Sequence, residues 1–199
     1  MIIAVILWLG IACGASVLMT RYSTCPGTDG TAPVSWPGDS QLSFDGHRNT
    51  LLMFLHPHCP CSRASLGELD RLLAQVSKPP SVELVFLKPD GTPSDWAETD
   101  LWRSASAIPG AKVYCDKGGL EARRFNAATS GQTLLYDLEG RLRFQGGITV
   151  ERGHAGDNPG RTALRELLQE GHSQQTKTPV FGCELFEDQC QKGNLLCKP

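Results

Sequence analysis

The segment that most constrains the fold is residues 51–76, where a short apolar run meets a helical pattern through two thiols. Leu51-Leu52-Met53-Phe54-Leu55 has the length and continuity of a buried strand. Leu66, Leu69, Leu72, Leu73 and Val76 recur at helical spacing. Between them lies His56-Pro57-His58-Cys59-Pro60-Cys61-Ser62-Arg63, which puts Cys59 and Cys61 at a strand-to-helix junction. A thiol in the first turn of a helix faces unsatisfied backbone N–H groups and the positive end of the helix dipole. Both favour thiolate over thiol, so the pKa falls and nucleophilicity at neutral pH rises. Pro60 suits the position, because the first turn does not need its N–H. Redox chemistry is the leading reading of this segment, and metal binding is its rival.

The rest of the core alternates. The pattern predicts a strand over Thr50–His56 and a helix over Ser62–Val76, stopped by Pro79-Pro80. A strand at Val82–Leu87 and a helix over Ser94–Ser104 capped by Ser94 follow. Next come a strand at Lys112–Cys115 and a helix over Leu120–Asn126. Thr133–Asp137 and Arg141–Gln145 form a hairpin about Leu138-Glu139-Gly140. Asp157-Asn158-Pro159 opens a last helix that ends near Leu168. Alternation of this kind predicts an α/β fold, a central mixed sheet flanked by helices. The crossovers make parallel neighbours and the hairpin an antiparallel edge. The domain occupies residues 48–171, after a Gly/Pro/Ser/Thr-rich linker at 21–47 that has too few apolar residues to pack by itself. The end of that linker is expected to add an edge strand or lie on the domain. A cysteine-containing tail occupies 172–199.

Residues 1–20 carry no charge and are mostly apolar, about the length that spans a bilayer as a helix. A basic start, one mark of a removable leader, is missing, although Ala12-Cys13-Gly14-Ala15 offers a place for cleavage. Gly10 stands three before Cys13 where a lipoprotein signal usually has an aliphatic residue. The expectation is an uncleaved single-pass transmembrane anchor. Arg21 weakly favours a cytoplasmic domain. Eight cysteines argue the other way, for a compartment where disulfides persist. The balance favours an extracytoplasmic, periplasmic domain. Net charge is −2 with both signs interspersed, so no nucleic-acid surface is expected.

The order of elements and the position of the thiols resemble the thioredoxin superfamily. The nearer likeness is to membrane-anchored extracytoplasmic members with an added helix between strands, and nearest to the bacterial RedB-type proteins. That narrower likeness rests on His56-Pro57-His58-Cys59-Pro60-Cys61, on Gly146-Gly147-Ile148-Thr149 with the stretch Arg152–Gly160, and on Pro179-Val180-Phe181-Gly182-Cys183. It covers roughly residues 45–185. The resemblance implies a thioredoxin-like fold and thiol–disulfide exchange with protein thiols or disulfides, with no cofactor. Two departures stand out. Ser62 occupies the place of the resolving cysteine, leaving Cys61 one residue early. Gly131, in Thr129-Ser130-Gly131-Gln132-Thr133, stands where thioredoxins carry the cis-proline that faces the thiols.

In the leading reading Cys59 attacks, Cys61 resolves the mixed disulfide and His58 helps set the pKa. A bond across one intervening residue closes a small, strained ring and should be oxidising. The rival reading joins His56, His58, Cys59, Cys61 and the more distant His154 in a copper or zinc site. That set is similar to the Sco-type copper chaperones, which pair two cysteines with a remote histidine. A third reading is a catalytically inactive adaptor. The Gly146-Gly147 and Gly153–Gly160 loops lack the features of a phosphate cradle and suit close packing instead. Cys115 reads as a reduced core cysteine. Among Cys25, Cys183, Cys190 and Cys197, two or more are expected to pair, with connectivity open and one of them able to resolve Cys59 instead.

Overall fold

A computed structural model describes residues 2–186. Cys190 and Cys197 lie outside the described residues. Five strands and five helices run in the order α1 (Ile2–Thr24), β1 (Thr50–Leu55), α2 (Ser62–Gln75), β2 (Ser81–Lys88), α3 (Asp100–Ser106), β3 (Ala111–Lys117), α4 (Leu120–Arg124), β4 (Gln132–Tyr136), β5 (Leu142–Gly146) and α5 (Pro159–Glu170).

The strands form one sheet in the order β3-β2-β1-β4-β5. β1 and β2 are parallel, as are β2 and β3. β4 runs antiparallel to β1, and β5 antiparallel to β4. This is the mixed, helix-flanked sheet expected from the alternation: a thioredoxin-like fold. β3 extends it at one edge through the crossover that contains α3.

Period-two alternation divides the core in two. Leu51, Met53 and Leu55 of β1 face α2, α3 and α5, meeting Leu66, Leu69, Leu101 and Leu164. Leu52 and Phe54 face the other way, onto Phe125 behind α4. A five-residue helix cannot cover that face alone. The linker and the tail complete it, with Ala32, Trp36 and Leu42 from one and Leu185 and Phe186 from the other. Trp36 packs edge-on to Phe125 and Tyr136, at centroid distances of 5.1 and 5.3 Å. The linker is poor in apolar residues, but the few it has are placed on the sheet. It adds a single bridge, Ser35 to Arg141, instead of a full edge strand.

α3 begins later than the sequence suggested. Its cap is Thr99, whose hydroxyl accepts from the Trp102 N–H, and not Ser94. Residues 94–98 form turns closed by Trp96 N–H to Pro93 O and Glu98 N–H to Asp95 O.

α1 extends to Thr24, beyond the uncharged stretch, and buries none of its residues. It is long and apolar enough to cross a membrane. Its hydroxyls bond back to carbonyls one turn earlier, Ser16 to Ala12 O and Thr20 to Ser16 O among them. Such internal pairing is what a helix needs in hydrocarbon.

Candidate thiol site

The site is built where β1 ends and α2 begins. Cys59 N–H closes a turn on His56 O (3.0 Å), Ser62 N–H bonds Cys59 O (3.2 Å) and Ala64 N–H bonds Cys61 O (3.1 Å). Cys61 stands at the N-cap of α2 and makes no side-chain cap bond. The N–H groups of Ser62, Arg63 and Ala64 are taken by the carbonyls of Cys59, Pro60 and Cys61, so what the helix start offers the thiols is the positive end of its dipole. Both thiols are buried, Cys59 to 3% exposure and Cys61 to 7%.

A third thiol joins them. The Sγ atoms of Cys59, Cys61 and Cys183 all lie within 4.8 Å of one another. Cys183 is brought there by the segment after α5, which crosses the sheet end and pairs with the loop before β4. Ser130 N–H donates to Cys183 O (2.8 Å), Leu185 N–H donates to Ala128 O (2.8 Å), and Thr129 and Glu184 form an antiparallel bridge. Gly182 packs against Ser130 O so closely that any Cβ would collide with it. Likewise a Cβ on Gly147 would meet Pro179 O at 2.7 Å. Gly146 and Gly147 thus serve close passage of the tail, whereas Gly160 packs on Gly147 O and a Cβ on Gly153 or Gly156 would meet nothing within 4 Å.

The thiols divide the charge unequally. The Cys183 and Cys61 thiols donate to Cys59, and with the Cys183 N–H (3.4 Å) and the Ser62 hydroxyl they hold its pKa far below the ordinary thiol range against the opposing effect of burial. Cys183 is pushed far up, chiefly because it donates to Cys59 and to Cys61, and because it is buried. For Cys61 the contact with Cys183 pulls down. The bond to Cys59, burial and the charge on Cys59 outweigh it and raise the pKa. One thiolate at Cys59, flanked by two thiols, is the state this geometry favours.

The surrounding frame is polar and small. Ser130 Oγ accepts from the His56 N–H (2.8 Å) and meets Ser62 Oγ at 2.6 Å, so Ser62 ties the helix start to the β4 loop. Gly131 takes φ +93°, its N–H bonds Phe54 O, and a Cβ there would press on Ser65 Oγ. There is no cis peptide among the described residues. Arg152 bonds Gly182 O with its guanidinium and Ser23 O with its N–H (3.0 Å), and lies over the Tyr22 ring at 4.9 Å. It joins the end of α1 to the tail strand, and its charge favours ionisation of Cys61.

The histidines are placed elsewhere. His58 is exposed, donates its N–H to His56 Nδ1 (3.2 Å) and packs on Trp96 at 4.6 Å. His56 lies 5.5 Å from the same ring. A cleft of about 410 Å³ opens beside them, lined by His56, Pro89, Trp96, Leu185 and Phe186 among others. His154 is exposed and contacts Glu151 at 3.1 Å. Among the described residues, the one group of three or more candidate ligands is Cys59, Cys61 and Cys183, with no histidine in it. Cys115 is free and only partly buried, on the edge strand β3. Cys25 is disulfide-bonded.

Comparison with known proteins locates the fold. No family model and no curated protein matches the chain. Solved structures do. A conserved uncharacterised protein from Geobacillus kaustophilus is 19% identical, with a TM-score of 0.58 over 81% of this chain and 92% of that one. A hypothetical protein from Sinorhizobium meliloti is 20% identical, with a TM-score of 0.56 over 82% and 94%. The exposed lipoprotein thioredoxin of Streptococcus pneumoniae is 18% identical, with a TM-score of 0.45 over 62% and 84%. The likeness at such identities is one of fold.

Sequence reasoning placed Cys59 and Cys61 together but left Cys183 among the tail cysteines. It gave no role to Ser130. The block Pro179–Cys183 carried a signal, a glycine beside a cysteine, but its contact with Ser130 is non-local.

Proposed function

We propose that the protein is a membrane-anchored thiol–disulfide oxidoreductase that acts on protein thiols or disulfides outside the cytoplasm. The observation that carries the reading is the environment of Cys59: a buried sulfur at a helix start, with donors from Cys183, Cys61 and Ser62. Thiolate character is what thiol–disulfide exchange requires of its attacking group. α1 supports the anchor, and the disulfide at Cys25 is in keeping with an oxidising compartment. The sequence blocks at 56–61, 146–160 and 179–183 favour the RedB-type group within the superfamily. The test is exchange with a model disulfide. Cys59→Ser should abolish it, and an unchanged rate in that variant would overturn the reading.

A second reading draws on the same thiols. Three sulfurs within 4.8 Å suit a soft cation such as copper(I) or zinc, with Cys59, Cys61 and Cys183 as ligands in place of the histidine set. Reduced protein should then keep one equivalent of copper(I) through desalting in a competing chelator, and Cys183→Ser should lose it. Loss of copper from the unaltered protein removes this reading.

A further inference from the structure

We propose that Cys183, and not Cys61, is the thiol that resolves the mixed disulfide on Cys59, so that the oxidised protein carries a Cys59–Cys183 bond. The proposal rests on the oxidoreductase reading and adds the identity of its second reacting group.

Two sulfurs stand within 4.8 Å of Cys59, and their backbones differ. Cys61 shares a run of consecutive tight turns with Cys59, and its own backbone is helical, at φ −65° and ψ −29°. The two thiols are in contact, but a bond across one intervening residue closes a small, strained ring, and Pro60 between them fixes one more torsion. Closing that pair requires the start of α2 to unwind. Cys183 has no such tie. It arrives on a separate strand, 124 residues on in the chain, and its N–H already points at Cys59 Sγ from 3.4 Å. The Ser130 N–H holds its carbonyl and Leu185 N–H bonds Ala128 O after it, while Gly182 O before it accepts from Arg152, so the segment is anchored on both sides of the sulfur. A Cys59–Cys183 bond closes a long loop between two separately held segments and not a strained ring of three residues.

Cys59 thiolate attacks one sulfur of a substrate disulfide. That S–S bond breaks, and the leaving sulfur takes a proton from water. Cys59 is now neutral and no longer holds the Cys183 proton. Cys183 gives that proton up and its sulfur attacks Cys59 Sγ. The Cys59–substrate bond breaks, and the second substrate sulfur leaves with the electron pair and takes up the released proton. The substrate disulfide has gained two electrons and two protons, and the protein has one new disulfide. A dithiol reductant returns it to the starting state.

The antiparallel pairing of 128–130 with 183–185 gives the tail a second consequence. The backbone beside the thiols is occupied by the chain's own strand.

The experiment uses the full-length chain in detergent, reduced and then exposed to oxidised glutathione, with peptide mapping by mass spectrometry. Unaltered protein and Cys61→Ser should both show a Cys59–Cys183 cross-link with little glutathione on Cys59. Cys183→Ser should retain glutathione on Cys59 at least about tenfold above the unaltered protein. Retention in Cys61→Ser with release in Cys183→Ser assigns resolution to Cys61 and overturns the proposal while leaving the oxidoreductase reading intact. Absence of any adduct on Cys59 in every variant overturns both. Direct mapping of the cross-link in unaltered protein decides the matter even where a variant folds poorly.

Discussion

A sulfur that gains its charge from neighbouring donors must respond when a donor is removed. Cys183 supplies the largest downward pull on Cys59. Cys183→Ala should therefore raise the Cys59 pKa and move upward the pH at which its alkylation rate climbs. An unchanged rate would mean that the helix start alone sets the reactivity. The same charge shows in stability. A depressed pKa stabilises the folded state above the unfolded thiol value of about 8.5, and the benefit is lost as pH falls toward the folded pKa. Cys61 and Cys183, raised in the folded state, oppose this only above that value. From pH 5 to 8, Tm should rise more steeply for the unaltered protein than for Cys59→Ala. Parallel Tm profiles would contradict a charged Cys59. At this scale the sequence showed Cys59 and Cys61 at the helix start but not Cys183 beside them. The sequence puts His56 and His58 on one face of an extended segment, but the chain turns through Pro57 and His58 and packs both rings edge-on to Trp96. Nothing in a linear pattern announces that turn.

Between elements, burial separates the ion pairs that matter from those that do not. Glu68 of α2 is fully buried and accepts from Gly156 N–H (2.8 Å) and Asn158 Nδ2 (3.3 Å), with Arg161 at 3.2 Å. It fastens α2 to the start of α5, next to the loop that holds Arg152 on Gly182. Glu68→Ala removes one side of a buried charged network and should cost about 3–5 kcal/mol in urea unfolding. Arg63→Ala breaks an exposed pair with Asp100 and should cost no more than about 1 kcal/mol. Comparable losses would contradict this ordering. Strands β1, β2, β4 and β5 and helices α2 and α5 were legible because their periodicity is local. α3 was misplaced because Ser94 and Thr99 are equally good caps by composition. Thr99 prevails in the fold, where its hydroxyl also donates to Pro57 O at 3.1 Å.

For the whole molecule, the thiols lie at the end of the sheet from which α1 departs, joined to it through Arg152, Ser23 and Tyr22. With α1 in a membrane, as proposed, this contact would hold the thiols close to its surface. Full-length protein should remain in the membrane fraction after carbonate washing, and recovery of a soluble, N-terminally trimmed species would overturn the anchor. The linker and tail were unreadable as structure because their apolar residues are too sparse to show a period. They count only once the sheet presents a face for Trp36, Leu42, Leu185 and Phe186 to cover. The same tail completes the thiol site, so covering the core and placing Cys183 are one structural event. The most direct test of the account is the alkylation rate of Cys59 against pH in the full-length, reduced protein, followed by peptide mapping. The account predicts a midpoint well below the free thiol value of about 8.5. A midpoint at or above that value would contradict it.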